Sequence, residues 1–132
     1  MTNIYNLFKF IEDKEGYTTP LQSKLIYAPS TITPDDLIIN GDLNLSKTKI
    51  TKLPDNLTVN GNLDLTHSKI TKLPDNLTVG GNLALYYTKM TSFPHSLIVD
   101  GSIILFNTQL SKKYTKEQLK QMLPGVKGNI FV

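Results

Sequence analysis

The chain is organised by a pattern of apolar and polar positions that recurs every twenty residues. In the clearest copy, residues 50–69, the apolar residues alternate with polar neighbours in two short segments: Leu57 with Val59, and Leu63 with Leu65. Such alternation is typical of short β-strands with one buried face. Residues 70–89 repeat this copy almost letter for letter, and residues 90–109 form a looser third copy. A fixed period of this length is the signature of a solenoid or another stacked array.

The pattern continues beyond these three copies towards both ends of the chain. Residues 34–45 match the same template, residues 25–27 match its second strand segment, and residues 128–132 match that segment once more. The chain therefore contains six elements of this type, and three of them read Leu-x-Leu without substitution. We predict a single domain over residues 1–132, with repeats at 25–110 and about five to six coils.

A pair of turn-forming residues separates the two strand segments of each repeat. The pairs are Asn40-Gly41, Asn60-Gly61, Gly80-Gly81 and Asp100-Gly101. Glycine takes positive φ at low cost and asparagine tolerates it, so a turn is expected at each pair. A hairpin would set Val59 opposite Leu63, whereas a coil would stack every leucine on its equivalent in the next repeat. Recurrence at a fixed period favours the coil, and we predict a mainly β, right-handed solenoid of parallel strands.

Two further columns, meaning residues at one equivalent position of successive repeats, mark the corners of each coil. The proline column is Pro34, Pro54, Pro74 and Pro94, and the hydroxyl column is Thr48, Ser68, Thr88 and Thr108. Proline lacks a backbone donor and therefore suits a corner away from the main sheet. We expect the hydroxyls to turn inward and to bond to backbone groups, as serine and threonine often do.

The pattern Leu-x-Leu-x-x-Thr-x-Ile-x-x-Leu-Pro resembles that of leucine-rich repeats, and it is most similar to the short twenty-residue repeats of bacterial and phage proteins. The hydroxyl column stands where that family has its asparagine ladder. This lack of the ladder asparagine is one departure from the family pattern. A second departure is the Asn or Gly that precedes glycine at the position where the family has its first leucine. The resemblance implies a curved stack of parallel strands, usually protein binding, and no catalytic residues. A related but flatter β-solenoid stays open as an alternative.

Helices are predicted on both sides of the repeats. Ile4, Leu7, Phe8 and Ile11 would share one face of a helix, so we predict a helical cap over residues 1–16. An amphipathic element for a membrane or a partner is the alternative. Within residues 111–132, Thr115 and Gln118 form a capping-box pattern before a short apolar run, which predicts a C-terminal helix followed by a final strand.

Composition argues against several functional classes. The chain has no cysteine, so neither disulfides nor a thiolate metal site can form. Its two histidines, His67 and His95, occupy different columns, and no phosphate-binding glycine motif is present. No apolar run has the length of a membrane span. We therefore predict a cytoplasmic, non-enzymatic protein with no metal, no cofactor and no membrane association.

The charge is unevenly distributed. The formal net charge is +3, and residues 112–132 contribute five lysines against one glutamate. Five further lysines fall into a stripe along the repeats: Lys49, Lys52, Lys69, Lys72 and Lys89. The stripe would suit nucleic acid or an acidic partner, or it is a solvated face that keeps the solenoid soluble. Every basic residue is lysine, and the lack of arginine argues against sequence-specific reading of DNA.

The outward positions beside the buried leucines change character along the chain. The first outward column reads Ile26, Asn44, Asp64, Ala84, Ile104 and Phe131, and the second reads Ala28, Ser46, Thr66, Tyr86 and Phe106. The apolar members at the C-terminal end, with Tyr87 nearby, predict an exposed aromatic patch of the kind that binds a protein partner. Two other hypotheses stay open: the residues after Gln109 cover the patch, or it forms a homodimer contact.

These observations favour a protein–protein interaction module that acts as a monomer or homodimer. By resemblance, a phage or bacterial accessory protein that binds and inhibits a host protein is the leading hypothesis. The alternative is a nucleic-acid-associated protein that uses the lysine stripe and the basic C-terminal segment.

Overall fold

The structure, a computed structural model, describes residues 21, 24–25 and 28–132. The helical cap that the sequence predicts at residues 1–16 lies outside this described part of the chain. Two short 3-10 helices, Pro29–Thr31 and Pro34–Leu37, lead into the first repeat.

Two parallel sheets run along the stack, and each is built from very short strands. The chain order of the strands is β1 (Ile38–Ile39), β2 (Leu43–Asn44), β3 (Thr58–Val59), β4 (Leu63–Asp64), β5 (Thr78–Val79), β6 (Leu83–Ala84), β7 (Ile98–Val99), β8 (Ile103–Ile104) and β9 (Ile130–Phe131). The first sheet has the order β1-β3-β5-β7, and the second has the order β2-β4-β6-β8-β9. Each repeat therefore contributes one strand to each sheet.

The register confirms a parallel-strand β-solenoid. Leu63 pairs with Leu43 on one side and with Leu83 on the other, so equivalent residues of neighbouring repeats lie side by side. The hairpin alternative is wrong, because Val59 and Leu63 belong to different sheets. The four strands of the first sheet are linked by three complete twenty-residue turns. The larger count of five to six coils stays a prediction.

The inward positions of both sheets form one continuous apolar core. Leu63, Leu65, Leu83 and Leu85 are completely buried, and so are Leu57 and Val59 from the first sheet. The predicted alternation of inward and outward residues is thus confirmed for these strands. Because each coil exposes apolar faces that only its neighbours can cover, stability depends on this stacking.

From Gly61 onwards, the glycine column is explained by close packing of backbones and not by positive φ. The N–H of Gly81 donates to the carbonyl of Gly61 at 2.9 Å, and a Cβ on Gly81 would lie 3.0 Å from that carbonyl carbon. None of these glycines is in the left-handed region. The residues with positive φ lie elsewhere in the coil: Lys47, Asn56, His67, Asn76, Tyr87 and Asn107. The expectation that glycine serves a left-handed turn here was wrong.

A ladder of polar side chains stands beside the glycine column. The Oδ1 of Asp42 accepts from the N–H of Asn62 at 2.7 Å, and the Oδ1 of Asn62 accepts from the N–H of Asn82 at 2.7 Å. Ser102 continues this ladder by donating its N–H to Asn82 Oδ1, and its own Oγ accepts from the N–H of Asn129 at 3.0 Å. In the sequence, this ladder corresponds to an Asp, Asn or Ser directly after each glycine of the column, a signal that the apolar pattern does not contain.

The hydroxyl column behaves as predicted at three of its four positions. The hydroxyls of Thr48, Thr88 and Thr108 donate to the carbonyls of the residues three positions earlier, at 2.7–2.8 Å. Ser68 is also buried, but its Oγ has no hydrogen-bond partner among the described residues. This coil therefore carries a small local defect.

The last coil contains an insertion that holds two helices, α1 (Gln109–Lys113) and α2 (Lys116–Met122). The predicted capping box at the start of α2 is confirmed, since Thr115 and Gln118 bond to each other's backbone N–H groups. The helix α1 was not predicted. Leu119 on α2 is completely buried, and α2 contacts β9.

The first turn differs from the sequence prediction. Residues 24–25 are helical, and the N–H of Ala28 donates to the carbonyl of Lys24 at 3.0 Å, so the strand expected at residues 25–27 is wrong where the structure describes it. Ala28 is buried, which contradicts its place in the outward column. Ile26 lies outside the described residues. The helical bond explains both corrections, because it coils the chain where a strand would have extended it.

Candidate functional site

Three aromatic rings line the outward face of the second sheet at its C-terminal end. The centroids of Tyr86 and Phe106 are 5.5 Å apart, and those of Phe106 and Phe131 are 6.5 Å apart, both pairs being tilted. We call these residues the aromatic ladder. Offset contacts at these distances are favourable for aromatic pairs. The coils thus hold the rings in a fixed row along the stack.

The backbone fixes the position of the row. In the register of the second sheet, Ala84 pairs with Ile104, and Ile104 pairs with Phe131. Ala84 and Ile104 are half-buried and fill the surface next to the rings. Five of the six predicted patch residues are therefore brought together on one face.

Tyr87 belongs to a different contact. It has φ of 55° and is 52% exposed, and its ring stacks on His67 at a centroid distance of 4.4 Å. Positive φ in this column turns the side chain away from the alternation that orders the aromatic ladder. Tyr87 and His67 form a second, flat aromatic surface, and the sequence analysis did not anticipate that pair.

Two of the three rings of the aromatic ladder are exposed to solvent among the described residues, and Tyr86 is half-buried. Phe106 is 38% exposed and Phe131 is 41% exposed. The residues after Gln109 therefore leave these two rings uncovered, although one of the rings, Phe131, belongs to that segment. Exposed large apolar side chains placed side by side are the usual mark of an interaction surface.

The same outward columns are polar in the earlier coils, and their polar groups bond locally. Asn44 Oδ1 accepts from the N–H and the hydroxyl of Ser46, at 3.0 and 2.7 Å. Asp64 Oδ1 accepts from the N–H of Thr66 at 3.0 Å. This end of the face presents satisfied polar groups, so the apolar surface is confined to the last coils.

The lysine stripe lies elsewhere on each coil. Its five members, Lys49, Lys52, Lys69, Lys72 and Lys89, are all exposed. Among the described residues, none of them forms an ion pair, whereas Lys24 pairs with Asp36 at 3.1 Å and Lys127 pairs with Asp100 at 2.9 Å. The twenty-residue register aligns Lys49, Lys69 and Lys89 into one column. Over the described residues, the stripe is therefore a row of exposed lysines without ion-pair partners.

A cavity of about 690 Å³ opens at the N-terminal end of the stack. Its lining is mainly apolar: Leu25, Pro29, Ile32, Pro34, Leu37, Ile50, Leu53 and Pro54, with Thr33, Thr51, Lys49 and Lys52. The lining residue Leu25 adjoins residues 26–27, which the structure does not describe. The repeat pattern did not predict this cavity, because it lies where the first regular repeat meets the 3-10 helices that precede it.

Groups capable of acid–base or metal chemistry are dispersed over the described residues. Within them, no three His, Asp or Glu side chains lie close enough to hold a metal ion. Nor does any helix described here combine the length and apolar character of a membrane span. Burial raises the pKa of Asp36, but the Thr33 N–H and the Lys24 ammonium outweigh it, so the pKa lies below its ordinary value.

The aromatic ladder and the lysine stripe are thus the two candidate binding surfaces among the described residues. Both follow from the twenty-residue register, and both consist of residues that the core does not require. Comparisons of the chain with family models, with curated proteins and with solved structures found no match.

Proposed function

We propose that this protein is a non-enzymatic protein–protein interaction module whose binding face is the aromatic ladder. The face consists of Tyr86, Phe106 and Phe131, with Ala84 and Ile104 between them and Tyr87 at its margin. The observation that carries this proposal is the row of three rings at 5.5 and 6.5 Å, two of them exposed, on an ordered sheet.

The physical argument is that such a face binds with little loss of conformational freedom. Leu85 and Leu105 are completely buried and anchor the backbone next to Tyr86 and Phe106. The rings are therefore positioned before a partner arrives, which lowers the entropic cost of association. Aromatic side chains at the centre of an interface commonly contribute about 2 kcal/mol or more each.

The finer features of the proposal rest on the resemblance of the repeat sequence. We take the solenoid to be right-handed and leucine-rich-repeat-like, with five to six coils and helical caps at both ends. Because similar short repeats occur in bacterial and phage proteins, the biological role that we favour is a cytoplasmic accessory protein that binds and inhibits a host protein. The module would act as a monomer or a homodimer, without metal or cofactor.

A second candidate function is nucleic-acid association through the lysine stripe. The observation in its favour is that five exposed lysines have no ion-pair partner among the described residues. Lysine contacts to a phosphate backbone would make binding fall steeply with salt. Neutral rings on a separate face have no role in this alternative.

The test is partner capture by immobilised protein from a lysate of the source organism, followed by identification of the captured protein and titration with the purified partner. Changing both Tyr86 and Phe106 to alanine should weaken binding by about a hundredfold or more, because it removes two aromatic anchors. The matched control changes Ser46 and Thr66 to alanine, since these residues occupy the same outward column in earlier coils. The control should bind like the unchanged protein.

A triple change of Lys49, Lys69 and Lys89 to glutamine separates the two candidate functions. In a protein interface centred on the rings, it should alter mainly the association rate and its salt dependence. If the lysine variant loses binding while the aromatic variant retains it, the nucleic-acid or acidic-partner alternative is correct. Thermal unfolding of every variant checks that lost binding does not reflect lost structure.

A further inference from the structure

The open edge of β9 carries unpaired backbone donors at the end of the aromatic ladder. In each earlier strand of the second sheet, the N–H groups of the two inward residues donate to the next coil. Leu83 and Leu85, for example, donate to the carbonyls of Ser102 and Ile104 at 2.9 Å. The equivalent N–H groups of the last coil belong to Ile130 and Val132.

These two N–H groups have no acceptor among the described residues. Strand β9 pairs only with β8, and Leu105 donates to the carbonyl of Phe131 at 2.8 Å from that side. The first sheet ends differently, because Val99 pairs with Val126 and its edge is thereby covered. At the C-terminal end of the stack, the edge of β9 is therefore free among the described residues, with Phe131 and Val132 both exposed on it.

The charge around this edge indicates what would occupy it. Residues 112–132 carry five lysines against one glutamate. Helix α2, which contacts β9, bears the exposed Lys116 and Lys120. A second copy of this chain at the same edge would bring two such basic segments together, and like charges at close range disfavour that contact. An acidic occupant is favoured instead.

We propose that the outer edge of β9 binds an extended, acidic segment of a partner protein, which adds a strand to the second sheet. Main-chain hydrogen bonds to Ile130 and Val132 would provide affinity, as in other cases of strand addition. An aromatic or aliphatic side chain beside Phe131 would extend the aromatic ladder by one step. Acidic side chains would face the lysines of α2. This inference rests on the proposed function and specifies the kind of partner.

The probe is a fluorescent peptide of about eight residues in which glutamate alternates with phenylalanine and valine, a length that suits a short strand. Anisotropy measures its binding to the full chain. The decisive variant is Val132→Pro, which removes one outward N–H group and leaves the carbonyl of Phe131 free to accept from Leu105. Proline is tolerated on an edge strand, and it favours extended structure at the residue before it. Val132→Ala is the matched control.

We expect Val132→Pro to weaken peptide binding by about tenfold, because one hydrogen bond is lost and the proline ring enters the interface. Val132→Ala should bind nearly as well as the unchanged protein. A peptide with lysine in place of glutamate should not bind. A second measurement changes only the peptide. Methylation of every second backbone nitrogen blocks one edge of the peptide strand, and two peptides are made, each blocked on a different edge. They should bind differently, because only one edge can pair with β9.

Strand addition would be overturned if the proline and alanine variants bound the peptide equally. It would also be overturned if the peptides methylated on opposite edges bound equally. The same holds if the unchanged protein binds neither peptide. These outcomes leave the aromatic face intact as a binding surface, because partner capture by the Tyr86→Ala, Phe106→Ala variant is measured independently. Unchanged partner capture by that variant would instead refute the proposed function itself.

Discussion

Replacing Gly81 with alanine should destabilise the protein, whereas the same replacement at Gly41 should not. Both glycines occupy one column, and neither has positive φ. Among the described residues, a Cβ on Gly41 would meet no atom within 4 Å. A Cβ on Gly81 would lie 3.0 Å from both the carbonyl carbon and the oxygen of Gly61, and it would also press against Asn62 Oδ1. The two sites therefore differ in how closely the neighbouring coil approaches, whereas neither has a φ in the left-handed region.

The expected magnitude follows from two opposing terms. Alanine reduces the freedom of the unfolded chain at both sites, which stabilises by about 0.4–1 kcal/mol. At Gly81 the inserted methyl group must push two coils apart, and overpacking of this kind costs about 1–3 kcal/mol. Displacement of Asn62 would also break its 2.7 Å hydrogen bond to the N–H of Asn82, at a cost of about 1 kcal/mol. The first term is the same at both sites and cancels, so we expect Gly81→Ala to be about 2–4 kcal/mol less stable than Gly41→Ala.

Urea-induced unfolding, followed by circular dichroism, measures this difference directly. For a chain of this size, 1 kcal/mol corresponds to a shift of roughly 3–5 °C in Tm, so thermal unfolding provides a second measurement. An unchanged denaturant slope would show that both variants expose the same surface on unfolding, so that the difference in midpoint reports stability. If the two variants are equally stable, the close approach of coils does not explain the glycine column.

Three further outcomes are expected. Leu83→Ala, at a completely buried position, should lower the free energy of unfolding by about 2–5 kcal/mol in urea titrations, and a loss below 1 kcal/mol would contradict its place in the core. Ser68→Thr should raise Tm by a few degrees, because a buried methyl group contributes about 0.8 kcal/mol and the hydroxyl can then bond to the carbonyl of Leu65; a lower Tm would show that the site has no room. The lowered pKa of Asp36 means that the unfolded chain binds its proton more tightly, so the contribution to stability is complete above about pH 4 and is lost as pH falls through the folded pKa. Comparison of unfolding free energies with Asp36→Asn between pH 2 and 6 checks this, and parallel curves would refute it.

The buried columns were predictable from the sequence because stacking makes burial periodic. Once Leu63 and Leu83 were assigned to equivalent positions, their pairing and complete burial followed. The outward position of Phe106 followed from the same alternation. The α2 helix was predictable because Thr115 and Gln118 form a local signal that does not depend on the rest of the fold.

Other features depend on distances between coils, which no single repeat encodes. The role of Gly81 is set by how near the next backbone lies, and that nearness is a property of the stack. Leu25 fits the repeat pattern in sequence, yet it is helical in the structure. The reason is a local hydrogen bond from the N–H of Ala28 to the carbonyl of Lys24. The stacking of Tyr87 on His67 requires positive φ in a column where the sequence shows no shared residue type.

The polar ladder beside the glycine column also determines how the protein can vary in length. Asn82 and Ser102 are twenty residues apart, but the next rung joins Ser102 to Asn129 across 27 residues. The additional residues are accommodated in α1 and α2, outside the column of rungs. Insertions are therefore tolerated where the rung can re-form after them, and whole twenty-residue units can be added or removed without breaking any rung. A longer or shorter solenoid would thus keep the same terminal face, the one that carries the aromatic ladder.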